Sequence, residues 1–521
     1  MLRKVRIGVS ATLFALVTFY FVDFSGLMPE KVGNLLARVQ FVPAAVAASL
    51  TVLLTLLLVT LLFGRAYCSS VCPMGVYQDV VAWISKRTAR RKKRYKFSKA
   101  KNVLRVTMLV AALTICLKFP LMLGLVDPYS AYGRMAANIF KPVYMAGNNA
   151  LAAIFTHFGS YTFYKTDVFV ASAFSLAVAA LTMLAIGFLA WRHGRTYCNT
   201  ICPVGTVLGF VSRFSTFKIR IDKSKCNSCG ACEMKCKAAC ISSRQKTVDG
   251  SRCVACFSCV DACRKDALKY SPKLLPKKEP TAAATSPHHS VAVPAELPVN
   301  EGRRRFLTAG MATVAAAPVA VAEDKTGSLT GSNRYARRHP ILPPGAVSID
   351  HMLKHCTSCH LCISKCPSRA LKPAFLEYGL AGVMQPTMYF EKGFCNFDCT
   401  VCSEVCPNSA IKPLTKEEKH LNQGGYVEFY RELCVVQTDE TSCGACSEHC
   451  PTQAVTMTPY KDGLTIPHIN VDICIGCGGC EFICPVRPFR AIHVEGHAVQ
   501  GKAKPFVEQK EEEKEIDGFG F

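Results

Sequence analysis

The chain has 521 residues, half of them hydrophobic, and carries 62 Lys and Arg against 37 Asp and Glu, a formal charge of +25. That length allows several domains, and so many cations beside so much apolar content predict apolar blocks alternating with charged ones. The charge suits a nucleic-acid or membrane-surface partner; nucleic acid is set aside, because the cations gather beside apolar segments and the 30 cysteines can wrap iron as thiolates, whose clusters carry negative charge.

In chain order, four apolar stretches come first, near Ile7–Leu27, Val42–Phe63, Val103–Val126 and Val168–Trp191. Each approaches or exceeds the roughly 20 residues that a helix needs to cross a bilayer, although the first contains Asp23 and the third Lys118. Arg3, Lys4 and Arg6 precede the first stretch, and the loop Lys86–Lys101 carries ten Lys or Arg and no acid. Positive-inside topology places both on the cytoplasmic side and residues 28–41 and 127–166 outside. The expectation for 1–215 is an α-helical transmembrane domain of four helices with a two-fold repeat. The repeat is visible as GRAYCSSVCPMG after the second stretch and GRTYCNTICPVG after the fourth. Its cysteines, Cys68, Cys72, Cys198 and Cys202, are the candidate catalytic residues: three intervening residues put two thiols on one helical face. Two such faces could converge on one metal or cluster, or cycle between thiol and disulfide; plain burial is the structural alternative. Cys116, inside an apolar helix, reads as packing.

Residues 216–270 hold two C-x-x-C-x-x-C-x-x-x-C runs, the thiolate pattern of paired [4Fe–4S] clusters, in which the fourth Cys reaches the other cube. The assignment is Cys226, Cys229, Cys232 and Cys263 for one cluster, and Cys253, Cys256, Cys259 and Cys236 for its neighbour. Lys237 and Arg264 replace the Pro that usually follows, and Cys240 is left over. Residues 271–302, rich in Pro, Ala, Lys and Ser, read as a flexible linker. Arg303, Arg304, Phe306 and Leu307 then match a twin-arginine export signal, so 303–322 is that signal or a fifth membrane helix. Either places 323–500 outside the cytoplasm.

That segment has four runs: Cys356, Cys359, Cys362, Cys366; Cys395, Cys399, Cys402, Cys406; Cys434, Cys443, Cys446, Cys450; and Cys474, Cys477, Cys480, Cys484. Each ends in Cys-Pro, and Pro is favoured at a helix start because its missing N–H has no partner there anyway. The second and third runs are stretched, and the four clusters are expected to nest, first with fourth and second with third. Disulfides and zinc ribbons lack this spacing. Cys356–His360 also spells C-x-x-C-H, the c-type haem signature, but Cys362 and Cys366 complete a cluster run around it. His157 and His193 lie at helix ends, leaving no His pair for a membrane haem. Residues 501–521 read as a charged, solvated tail.

In motif order, the first 270 positions resemble the NapH-type membrane subunit of the periplasmic nitrate reductase accessory quinol dehydrogenase. Residues 303–495 resemble its NapG-type partner, an exported polyferredoxin. The membrane half is also similar to NosR-type proteins and to copper reductases of cbb3 oxidase assembly. The resemblance implies a fold of four membrane helices plus α+β ferredoxin-like modules, one cytoplasmic with two clusters and one extracytoplasmic with four. It implies a multi-pass inner-membrane protein with a periplasmic C-terminal domain and six [4Fe–4S] clusters. It further implies oxidation of quinol from the membrane pool, menaquinol foremost, and delivery of electrons to a periplasmic reductase, such as nitrate reductase, or to a cytochrome. Segment 127–166, with Asp127 as a proton acceptor or a helix cap, is the candidate quinol region. The alternative function is a metal or thiol reductase that matures a respiratory enzyme through the C-x-x-x-C-P cysteines.

Overall fold

The computed structural model describes residues 2–88, 97–118, 124–272 and 337–505. The export signal at 303–322, most of the 271–302 linker and most of the 501–521 tail lie outside the described residues, as does the side chain of Cys116. Contacts group Met1–Lys273 with Arg337–Phe521 as one unit; the other, Leu274–Ala336, is outside the described set.

The helices are α1 Leu2–Val22, α2 Glu30–Arg38, α3 Phe41–Val46, α4 Leu50–Phe63, α5 Ala66–Ser70, α6 Pro73–Thr88, α7 Asn102–Lys118, α8 Pro128–Met135, α9 Lys141–His157, α10 Ala173–His193, α11 Thr196–Thr200 and α12 Pro203–Ser212. A π-helical segment, Ala136–Phe140, joins α8 to α9. Two of them, α1 and α10, are long and apolar enough to cross a membrane. Their outer faces, like those of α4 and α7, carry exposed Val5, Leu54, Leu58, Val106, Val110, Leu181 and Leu184. Contiguous apolar surface of this kind calls for a partner that is itself apolar.

The spans differ from expectation in three places, the smallest being α10, which begins at Ala173 rather than Val168. The stretch Val42–Phe63 is not one helix: Ala48 adopts φ 52°, and α3 and α4 form on either side of it. The first helix stops at Val22 rather than Leu27, which removes Asp23 from the apolar segment. The Asp23 carboxylate instead organises the following turn, accepting the amides of Ser25, Gly26 and Met28 at 3.0, 3.0 and 3.2 Å.

The sequence repeat is a structural one. Helix α4 and helix α10 end at Gly64 and Gly194, with φ 75° and 70°, where only glycine is unstrained. A one-turn helix carries the first cysteine of each motif, and a helix begun by Pro73 or Pro203 follows the second.

Both ferredoxin modules are built on two-stranded antiparallel sheets. In the first, β1 (Phe217–Ile221) pairs with β4 (Leu268–Pro272), and β2 (Ile241–Ser242) with β3 (Thr247–Val248). In the second, β5 (Leu371–Pro373) pairs with β6 (Pro386–Met388), β8 (Val455–Pro459) with β9 (Thr465–Ile469), and β7 (Asn422–Phe429) with β10 (Ile492–Lys502). Two-stranded ribbons are marginal alone. The cores beside them are rich in cysteine, with Cys434, Cys446, Cys474, Cys480 and Cys484 buried among Phe390, Val436 and Val494. A core made of ligands ties folding to what those ligands bind.

Candidate metal centres

The backbone of the four regular runs has one recurring shape. Both neighbours of the second cysteine are left-handed: Ser228 and Gly230, Ala255 and Phe257, Ser358 and His360, Gly476 and Gly478. Successive residues in such conformations curl the chain and turn amides inward, a concavity suited to an anionic cluster. His360 therefore occupies a glycine-like position, with φ 63°. Its ring is not free to bind haem: one nitrogen meets the Met384 carbonyl at 3.0 Å, the other Asn138 at 3.2 Å. Burial and the nearby Arg134 guanidinium push its pKa down to about 3, so the ring is neutral.

The ligand sets fit cubes. A cavity of about 990 Å³ is lined by Cys226, Cys229, Cys232 and Cys263, the crossed-over set expected from sequence. Cys259 faces Cys253, Cys256 and Cys236. Cys240, left over in the sequence, belongs beside this second set: its Sγ lies 3.5 Å from that of Cys236. In the second module the nesting expectation is wrong. Cys406 groups with Cys356, Cys359 and Cys362, and Cys366 with Cys395, Cys399 and Cys402. Cys484 groups with Cys434, Cys443 and Cys446 around one small cavity, and Cys450 with Cys474, Cys477 and Cys480. Neighbouring runs thus exchange their fourth cysteine in sequence order, the shortest connection available to each. The two stretched runs complete their sets; the extra residues of the third form the helical turn Val435–Thr438. The Cys395 amide donates to the Cys477 carbonyl at 2.9 Å, joining the two halves of this module.

The four repeat cysteines converge, each within electrostatic reach of the other three. They are 3–4 % exposed. Arg65 and Arg195 brace the site crosswise: each guanidinium donates to the carbonyl of the other copy's first cysteine, Arg65 to Cys198 and Arg195 to Cys68. Gly75 and Gly205 permit the fold, since a Cβ there would stand 2.2 and 2.1 Å from the Cys68 and Cys198 carbonyl oxygens. The motif tyrosines reach the other way, Tyr67 to Gln40 at 2.9 Å and Tyr197 to the Val126 carbonyl at 2.7 Å.

Both ferredoxin modules meet this core. On one side Arg65 donates to the Ser251 carbonyl at 3.2 Å, and the Arg195 amide to the Lys237 carbonyl at 3.0 Å. The Lys237 ammonium lies 3.4 Å from Asp79, which also holds Arg195 at 2.8 Å and Arg6 at 3.1 Å. Burial alone would raise the Asp79 pKa; the three cations outweigh it and hold the carboxyl well below its usual range. Lys237, which stands where ferredoxins usually place Pro, is an interface residue here. On the other side a Cβ at Gly124 or Gly133 would lie 2.2 Å from the Thr357 carbonyl or 2.5 Å from that of Cys359. Arg134 donates to the Ser358 carbonyl at 3.1 Å, and Lys365 pairs with Asp23 at 3.3 Å. One hydrophobic core contains the quartet together with Cys256 of the first module and, at its edge, Cys359 of the second. Asp127, the candidate proton acceptor, is the buried cap of α8, accepting the Ser130 amide at 2.7 Å.

Sequence comparison finds iron–sulfur domains along this chain. A family described as 4Fe-4S binding domain matches residues 46–92 and 173–222; each segment contains one C-x-x-x-C-P motif and no other cysteine. Two 4Fe-4S dicluster domain families match 249–370 and 441–487. The chain is 30 % identical over 173 residues to ferredoxin-type protein NapF of Escherichia coli K12, covering 33 % of this chain and 96 % of that one. It is 28 % identical over 200 residues to ferredoxin-type protein NapG of the same strain, covering 35 % and 81 %. The methylamine utilization ferredoxin-type protein MauN of Paracoccus denitrificans is 27 % identical over 196 residues, 37 % and 56 % of the two chains. No solved structure matches the chain.

Proposed function

The chain belongs to the family of ferredoxin-type NapF proteins, iron–sulfur carriers of electrons, and on that premise we propose that it spans the inner membrane and passes electrons from quinol to a periplasmic reductase or cytochrome. The Lys86–Lys101 side is cytoplasmic in this reading, the first ferredoxin module lies there, and the second lies outside. The chain then unites in one polypeptide what NapH-type and NapG-type subunits divide.

The observation that supports a quinol donor is a cavity of about 380 Å³ at the end of α1, bounded by Tyr20, Asp23, Asn138, Lys141, Phe169 and Cys366. Mostly apolar walls with a few placed polar groups suit a small amphipathic ring. Here those walls join apolar helices to a cluster ligand, Cys366. Segment 127–166 contributes Asn138 and Lys141, so the candidate region is retained while Asp127 is not. The rival, a maturation reductase working through the C-x-x-x-C-P thiols, is disfavoured because thiols 3–4 % exposed meet no outside metal or thiol.

The test is reduction of the purified chain by menaquinol, followed through the bleaching of cluster absorbance. Ala171 also lines this cavity; Ala171→Trp, which narrows it, is expected to raise the apparent KM for quinol at least tenfold with iron content unchanged. An unchanged KM rejects the cavity, and no reduction of the wild type rejects the quinol donor.

A further inference from the structure

The quartet Cys68, Cys72, Cys198 and Cys202 is surrounded by hydrogen-bond donors, one for each sulfur. The Gly75 and Gly205 amides face Cys72 and Cys202, the second at 3.3 Å. The Gln78 amide nitrogen lies 3.1 Å from the Cys198 Sγ, and the Arg65 guanidinium 3.8 Å from that of Cys68. Cys202 caps α12 with its sulfur, so a helix N-terminus adds its positive end. Donors placed this way stabilise thiolate and serve a neutral thiol poorly.

The charge around the site is unbalanced. Arg65 is fully buried and, among the described residues, has no carboxylate partner; its neighbours are Asn199, two carbonyls and the Cys68 sulfur. Arg65 Nε, Arg195 Nη2 and Gln78 Oε1 are buried without a hydrogen-bond partner. A buried, unmatched cation is costly, and the missing negative charge belongs where the four sulfurs meet.

The spacing bears against a single tetrahedral ion. Among the described residues, only Glu428, His493 and Glu495 form a group of three or more ligand atoms all within 4.8 Å of one another. Neither the quartet nor the ferredoxin sets are drawn that tight. A single tetrahedral ion with metal–sulfur bonds of ~2.3 Å would hold its sulfurs about 3.8 Å apart.

We propose that Cys68, Cys72, Cys198 and Cys202 bind an additional iron–sulfur cluster that relays electrons between the two ferredoxin modules. The reading rests on the chain's being an electron carrier and is independent of which donor reduces it. Arg65 joins the quartet to Ser251, two residues before Cys253. Tyr197 joins it to Val126, next to the helix whose Arg134 holds the Cys359 loop. One electron enters from a reduced cluster on one side and one leaves to an oxidised cluster on the other, with no bond made or broken. The six ferredoxin sets then no longer stand on opposite sides of roughly 30 Å of hydrocarbon without a stop between.

The test uses the full chain, purified anaerobically in detergent, with iron, sulfide, zinc and copper measured and the clusters resolved by Mössbauer and EPR spectroscopy. Wild type is expected to hold iron beyond that of six [4Fe–4S] sets, and Cys72→Ser with Cys202→Ser to lose only that surplus. If this variant does not fold, Gln78→Leu serves: loss of one donor to sulfur lowers the midpoint potential of the surplus signal and leaves the ferredoxin signals in place. No surplus iron in the wild type overturns the proposal. So do zinc or copper in its place, a Cys–Cys disulfide in the native chain, a surplus that survives the double variant, or a potential that Gln78→Leu does not move.

Discussion

Replacing Asp79 with Asn tests the joint between the first ferredoxin module and the helices. The carboxylate faces Arg195, Arg6 and Lys237 at 2.8, 3.1 and 3.4 Å, with its side chain 10 % exposed. At an effective dielectric of about 20 each contact is worth roughly 5 kcal/mol before desolvation and the mutual repulsion of the cations. Removing one partner of a buried ion pair costs about 3–5 kcal/mol net, because charge is left uncompensated. The Arg195 amide, which donates to the Lys237 carbonyl, reports the loss: at 1.4 kcal/mol per decade, its hydrogen-exchange protection should fall by roughly two to three and a half orders of magnitude. Mass-spectrometric exchange on the detergent-solubilised chain measures it. Asp261→Asn is the control: its pair with Arg3 is 40–44 % exposed and should cost under about 1 kcal/mol. A fall of less than tenfold at Arg195, or one no larger than in the control, refutes the reasoning. The pH dependence has a fixed sign. A carboxyl with a lowered folded pKa stabilises fully above its unfolded value, near 4, and its contribution is lost as pH falls through the folded one. Wild-type protection at Arg195 should stay flat from pH 8 to about 4 and drop only below.

Cys240→Ala should leave iron content unchanged and lower the potential of the cluster held by Cys236, because its thiol is 3.5 Å from that sulfur. A lost hydrogen bond of about 1 kcal/mol corresponds to roughly 40 mV in a redox titration; loss of iron would instead make Cys240 a ligand. Gly124→Val should unseat the second module, since its Cβ would lie 2.2 Å from the Thr357 carbonyl. With a protease site engineered into the 271–302 linker, cut wild type should elute as one particle in size exclusion and the variant as two. Lys237→Pro should keep both clusters of the first module and weaken docking as Asp79→Asn does, read by the same exchange at Arg195; unaltered exchange would mean the ion pair is idle.

Cysteine spacing alone marked the six runs as candidate ligand sets and anticipated that Cys263 would join Cys226, Cys229 and Cys232, because a cube would take three ligands from one short loop. The repeat was also legible: Gly64, Arg65, Tyr67, Cys68, Cys72, Pro73 and Gly75 recur at the same offsets, and each has a local geometric task. Periodicity placed the apolar segments but missed the break at Ala48, since backbone strain leaves no trace in hydropathy. Other properties belong to the tertiary structure. Whether runs pair in sequence or nest depends on chain closure between them, which spacing within a run does not encode. Asp127 became a cap, His360 a glycine substitute and Cys240 a neighbour of Cys236 only when their surroundings were in place. The meeting of Cys68 and Cys72 with Cys198 and Cys202 needs two helix ends, far apart in sequence, braced by arginines from opposite copies. A sequence can show that two halves are alike; only packing shows that they face each other.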